Sequence, residues 1–224
     1  MKINYDLKRY IEKSVLPLYD TNIAGHDREH IEFVIERSFE LAREFDLDVD
    51  VNMIYVIAAF HDIGYKENPD NHEEVSSRIF REDDIMTKYF TAEEIDIMAD
   101  AIVDHRASLE YEARSVYGKL VSSADREISV HNMLKRSILF QADKHKSEHP
   151  SLAQVIDYSY KKLSSKYGKG GYAKMYFPDE KYKNYLNTMQ DILSDKEKFV
   201  KYELDVIDRM SNKDKTTLEV LVKS

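Results

Sequence analysis

Turn-forming residues are scarce in this chain: six glycines and four prolines serve 224 residues, under half the usual combined share of about 12%. A sandwich or barrel needs a turn signal about every 8–12 residues, and this sequence cannot supply them. Long helices joined by few connections remain. The apolar share of 42% is too high for a disordered chain. The length suits one large domain, or one domain with an appendage.

Apolar spacing supports the helical reading. Ile31, Val34, Ile35, Leu41, Ala42 and Phe45 recur at i, i+3 and i+4, which predicts an amphipathic helix over 28–45 with Asp27 as its N-cap. Met53 to Asp62 is apolar until its last two residues and reads as a buried helix, with Gly64 as a C-cap. Weaker patterns predict helices over 5–16, 71–83, 91–106, 117–142, 150–166, 180–193 and 196–210. The stretch YDTNIAGHD reads as a short loop, and the glycine-clustered residues 167–178 as another.

Composition excludes several chemistries. There are no cysteines, so disulfides, iron–sulfur clusters, thiol nucleophiles and thiolate zinc sites are out, and any metal is held by His, Asp and Glu. The longest apolar run, Met53 to Phe60, is too short to cross a bilayer. The charged N-terminal stretch MKINYDLKRYIEK does not read as a secretory signal. A cytoplasmic protein without membrane partners is the expectation. Residues 1–143 hold 17 Lys and Arg against 30 Asp and Glu, whereas residues 144–224 hold 16 against 12. An acidic body argues against binding duplex nucleic acid and suits a holder of divalent cations. The inversion of charge balance near DKHKSEHP predicts a core over 1–145 and a helical extension, 146–224, packed on it.

Polar residues of ligand type interrupt the apolar helices at their ends. The sharpest case is AAFHDIGYK, where His61 and Asp62 close a buried helix. A carboxylate there is costly unless something positive neutralises it, and a divalent metal does so. His30 lies one turn before Val34 on the same helix face. His72 opens HEEVSSRIF, His105 closes EEIDIMADAIVDHR, and Asp125 follows Leu120 and Val121 in KLVSSADREI. His131, His145 and His149 stand outside this ordered set and read as ordinary histidines.

The ordered pieces GHDREHIEFV, AAFHDIGYK, NHEEVSSRIF, AIVDHR and SSADRE resemble the HD-domain superfamily of metal-dependent phosphohydrolases over roughly residues 20–130. The resemblance implies an all-α helical bundle with metals between its helices. It implies that His30, His61, Asp62 and Asp125 hold one metal, and that His72 and His105 hold a second with Asp62 bridging. One or two ions per chain follow, of manganese, iron, nickel, cobalt or zinc, with magnesium a poorer match to imidazoles. His26, one turn before His30, is a further ligand or a partner of a ligand. Its place outside the superfamily's core pattern favours the second role.

The implied reaction is attack of metal-activated water on phosphorus, with Asp62 at the centre and Lys66 and Arg106 as cations for the transition-state charge. The implied partner is a small phosphorylated metabolite or nucleotide, cleaved as a phosphomonoester or phosphodiester. Two alternatives stand: a di-iron oxygenase of the same superfamily, and a nucleotide-binding sensor without turnover. The Lys- and Tyr-rich stretch 158–185 is read as a solvated helix face and connecting loop.

Overall fold

A computed structural model describes residues 2–22 and 26–222 of the chain. Among them are eleven α-helices and no strand, which makes the protein all-α. Residues 23–25, within the loop expected over YDTNIAGHD, lie outside the described residues.

By packing, the chain divides into two compact units, residues 1–126 with 174–179, and residues 127–173 with 180–224. The first contains α1 (Tyr5–Tyr10), α2 (Arg28–Glu44), α3 (Val51–Phe60), α4 (His72–Arg81), α5 (Ala92–Asp104) and α6 (Val116–Ala124). The second contains α7 (Val130–Lys144), α8 (Leu152–Tyr167), α9 (Glu180–Leu193), α10 (Lys196–Arg209) and α11 (Asn212–Leu221). The division at 126/127 falls one helix before the charge inversion that suggested 145. Helix α7 packs with α8, α10 and α11, so helix packing draws the line where surface charge does not.

In the first unit α3 is the central element, and α2, α5 and α6 pack against it. Eight of its residues, Met53 to Phe60, are buried. The large apolar side chains among them, Met53, Ile54, Val56, Ile57 and Phe60, each contribute about 1.5–3 kcal/mol of burial, so this helix is stabilised by packing on every side. Asp50 caps its first turn, accepting from Asn52 N and Met53 N. Asp27 caps α2 as expected, accepting from His30 N at 3.1 Å. Before α2, the segment from α1 onward continues as a π-helical turn and a 3₁₀ turn to Tyr19. The buried Tyr19 hydroxyl donates to the Ala59 carbonyl at 2.8 Å, pinning that segment to the end of α3.

Two expectations are corrected. The helix predicted over 117–142 is two helices, α6 and α7. Asp125 ends α6, Ser129 caps α7 through Asn132 N, and Glu127 Oε1 accepts from Ile128 N and Ser129 N. The break is made by side-chain caps, without glycine or proline. Gly64 is not a left-handed C-cap; a Cβ there would lie 2.6 Å from Ser76 N and 2.7 Å from Val75 Cβ. The glycine exists because α4 passes against it, and Gly64 N donates to Ser76 Oγ at 2.9 Å.

Candidate metal centre

Helix ends bring the ligand-type residues together. His30 lies in the first turn of α2, and His61 and Asp62 follow the last residue of α3. His72 opens α4, His105 follows α5, and Asp125 follows α6. All six belong to the first unit. His61 is fully buried, Asp62 and His105 are 2% exposed, and His30 is 7% exposed.

Asp62 stands at the middle, and its two oxygens face different neighbours. Oδ1 lies 3.3 Å from His72 Nε2 and 3.4 Å from His105 Nε2. Oδ2 lies 3.3 Å from His61 Nε2 and 3.6 Å from His30 Nε2. Asp125 Oδ1 approaches His30 Nε2 at 3.1 Å. The donor atoms of His30, His61 and Asp125 fall within 4.8 Å of one another, as do those of His61, Asp62 and His105.

The backbone prepares three of the imidazoles. His61 Nδ1 lies 2.8 Å from the Ala58 carbonyl, His105 Nδ1 2.5 Å from the Ile102 carbonyl, and His72 Nδ1 3.1 Å from the Pro69 carbonyl. A carbonyl only accepts, so each Nδ1 carries a proton and each ring turns its Nε2 inward, the atom through which a neutral imidazole binds a metal. His72 Nε2 and His105 Nε2 face each other at 3.2 Å, an approach that requires a proton or a metal ion at the pair. His61 Nε2 and Asp62 Oδ1 are buried without a hydrogen-bond partner. A divalent ion satisfies all of these atoms at once, so the residues present fit the group.

The electrostatics show a demand for positive charge at the same place. Burial pushes the His61 imidazole down, but Asp62 and Asp125 outweigh it and raise its pKa to about 9. Burial raises the Asp62 carboxyl, yet His61, His26 and His105 hold it well below the usual carboxylate range. Asp125 is likewise raised by burial and brought well below that range by His30 and Arg126. Burial and the neighbouring His105 lower His72, against the pull of Asp62. The pocket keeps its carboxylates ionised and draws positive charge toward them.

His26 meets a ligand-type residue directly. Its Nδ1 lies 2.6 Å from Asp62 Oδ2, and its ring stacks on Tyr65 with centroids 3.7 Å apart. The two cations expected near the phosphoryl group are placed differently. Lys66 Nζ donates to Thr21 Oγ1 at 3.0 Å on the exposed surface. Arg106 is bound to Glu73 and donates to the Asp70 carbonyl at 2.9 Å, so it braces the entry to α4. Of the remaining histidines, His131 and His149 are exposed, and His145 pairs with Glu148 at 2.9 Å; all three belong to the second unit.

Arg126, which no sequence pattern singled out, is 1% exposed and bonded both to Asp125 and to the end of α5. Its signal was weak, because a charged residue after a helix ordinarily faces solvent. Residues 174–179, which overlap the end of the glycine-clustered stretch 167–178, also lie in the first unit.

Residues 28–128 match the family model described as HD domain, a group that binds divalent metals. No curated protein and no solved structure matches the chain. No helix among the described residues is long and apolar enough to cross a membrane.

Proposed function

We propose that this chain, which through residues 28–128 belongs to the HD superfamily of metal-dependent phosphohydrolases, is a phosphoric ester hydrolase acting on a small phosphorylated metabolite or nucleotide. The observation that carries the reading is the inward set of imidazole Nε2 atoms around Asp62, held by Nδ1 bonds to the carbonyls of Ala58, Ile102 and Pro69. Imidazole with carboxylate suits manganese, iron, nickel, cobalt or zinc better than magnesium.

His30, His61, Asp62 and Asp125 would hold one ion, and His72 and His105 a second that shares Asp62. A divalent ion bound there lowers the pKa of water and polarises a phosphoryl oxygen. The chain's own residues do the rest. Burial of His61, Asp62 and His105 limits water around the reacting group, which strengthens every charge interaction in the site. The helix ends fix the donors, so little reorganisation accompanies the reaction. Lys66 is assigned to meet charge on the substrate, because its exposed bond to the Thr21 hydroxyl yields readily to a phosphate oxygen. Arg106 would act on the substrate only by releasing Glu73, so it ranks behind Lys66. A cytoplasmic address, a substrate that is neither duplex nucleic acid nor membrane lipid, and turnover itself belong to the same proposal.

The test is hydrolysis of a panel of phosphomonoesters and phosphodiesters by chelator-stripped protein, with manganese, nickel, cobalt, zinc or magnesium added singly. Restoration of turnover by a transition metal is expected. Nucleotide binding without hydrolysis under every metal would favour a sensor. Two irons per chain with no hydrolysis would favour an oxygenase.

A further inference from the structure

One guanidinium connects two of the ligand-bearing helix ends. Arg126 Nη1 donates to Asp125 Oδ2 at 3.0 Å. Its Nη2 donates to the His105 carbonyl at 3.1 Å and to Ser122 Oγ at 2.9 Å. Nε donates to the Lys174 carbonyl at 3.2 Å. A guanidinium is a rigid planar fork, so these acceptors fix its plane and its distance from both helices.

The last of those acceptors is itself anchored. Lys174 Nζ donates to the carbonyls of Leu109 and Tyr111, each at 2.7 Å. The amides of Tyr176 and Phe177 donate to Ser123 Oγ at 3.1 and 3.3 Å. Arg37 pairs with Asp179 at 2.6 Å, both side chains almost wholly buried. Arg126 therefore sits in a frame that cannot easily relax around it.

The consequence falls on Asp125. Its Oδ2 is occupied by the buried cation, and Oδ1 faces His30 Nε2. We propose that Arg126 is a positioning residue that restricts Asp125 to one ligating oxygen, so that a place on the ion stays open for water or substrate. Carboxylates ligate through one oxygen or both, and a catalytic site must keep a position unfilled. A charge-assisted bond to the second oxygen opposes the rotation that two-oxygen ligation requires. Lysine cannot replace this arrangement, because a single ammonium cannot span the carboxylate and the His105 and Lys174 carbonyls together. An arginine present only to neutralise the core would tolerate that replacement.

This inference rests on the cluster being a metal centre. The test is visible absorption of cobalt(II) added to metal-free protein, per bound ion, for the parent, Arg126→Lys, Arg126→Met and Ser122→Ala. A cobalt ion of higher coordination number absorbs more weakly. A several-fold fall is expected in both Arg126 variants with far-UV circular dichroism unchanged. Ser122→Ala keeps the bond to Asp125 and is expected to keep the parent spectrum. A folded Arg126→Lys with the parent spectrum overturns the proposal, and so does one that binds no cobalt, which would make Arg126 a holder of the whole ligand. If Arg126→Met does not fold, Arg126→Lys decides alone. A parent that binds no cobalt overturns the metal reading itself, a separate failure, and a parent that binds cobalt with only the weak bands of a six-coordinate ion overturns the open position.

Discussion

Replacing Glu203 by glutamine should stabilise the second unit in alkaline solution and leave it nearly unchanged in acid. Glu203 lies on α10 with no exposed surface. Its Oε1 is 3.2 Å from Ser159 Oγ, and its Oε2 has no hydrogen-bond partner. Burial, only partly opposed by the Ser159 hydroxyl, raises its pKa from 4.5 to about 8. The folded protein thus binds this proton more tightly than the unfolded chain does. The stability from the protonated carboxyl is fully present below pH 4.5 and is lost as pH rises to about 8. At about 1.4 kcal/mol per pKa unit the loss is at most about 5 kcal/mol. Glu203→Gln keeps the shape, removes the titration and so removes the loss. Asp62 and Asp125 act in the opposite direction, losing stability as pH falls, but they are common to both proteins and cancel in the comparison. The assay is urea unfolding of parent and variant at about pH 5, 7 and 9. The advantage of the variant should grow across that range. A difference that stays flat with pH would refute the account of a buried carboxyl kept neutral by its surroundings.

Gly64→Ala should cost about 1–3 kcal/mol, because the new Cβ meets Ser76 N and Val75 Cβ well inside contact distance. It should also weaken metal retention by moving α4, which carries His72, away from Asp62; an unchanged urea midpoint would remove the packing argument. His72→Ala and His105→Ala should each lose the weaker of two ions and most activity while keeping the tighter one. Calorimetric titration of metal-free protein that saturates at one equivalent, and is unaltered by either substitution, would favour a mononuclear site.

Helices were legible wherever one face was apolar over several turns. The periodicity of α2 and the unbroken apolar run of α3 needed no tertiary information. The ligand-type residues were legible for a related reason: a histidine or aspartate closing an apolar helix is out of place unless something is bound. Legibility failed where side chains did the work of turn residues. The break between α6 and α7 depends on Glu127 accepting from its own neighbours' amides and on the Ser129 cap, and neither residue is distinctive in a polar stretch. Partnerships across long sequence distance were also hidden. The bond of Arg106 to Glu73 spans 33 residues and that of Arg126 to Lys174 spans 48, and no local pattern reports them. The close approach of His26 to Asp62 has the same character, since it depends on where the loop before α2 returns.

The central claim is a metal centre organised around Asp62, and elemental analysis of Asp62→Ala beside the parent protein tests it most directly. Asp62 faces His72 and His105 with one oxygen and His30 and His61 with the other, so its loss removes the group common to both halves of the site. With far-UV circular dichroism matched, the parent should retain one or two transition-metal ions per chain, and Asp62→Ala should retain none and hydrolyse nothing. Full metal content in a folded Asp62→Ala would contradict the account.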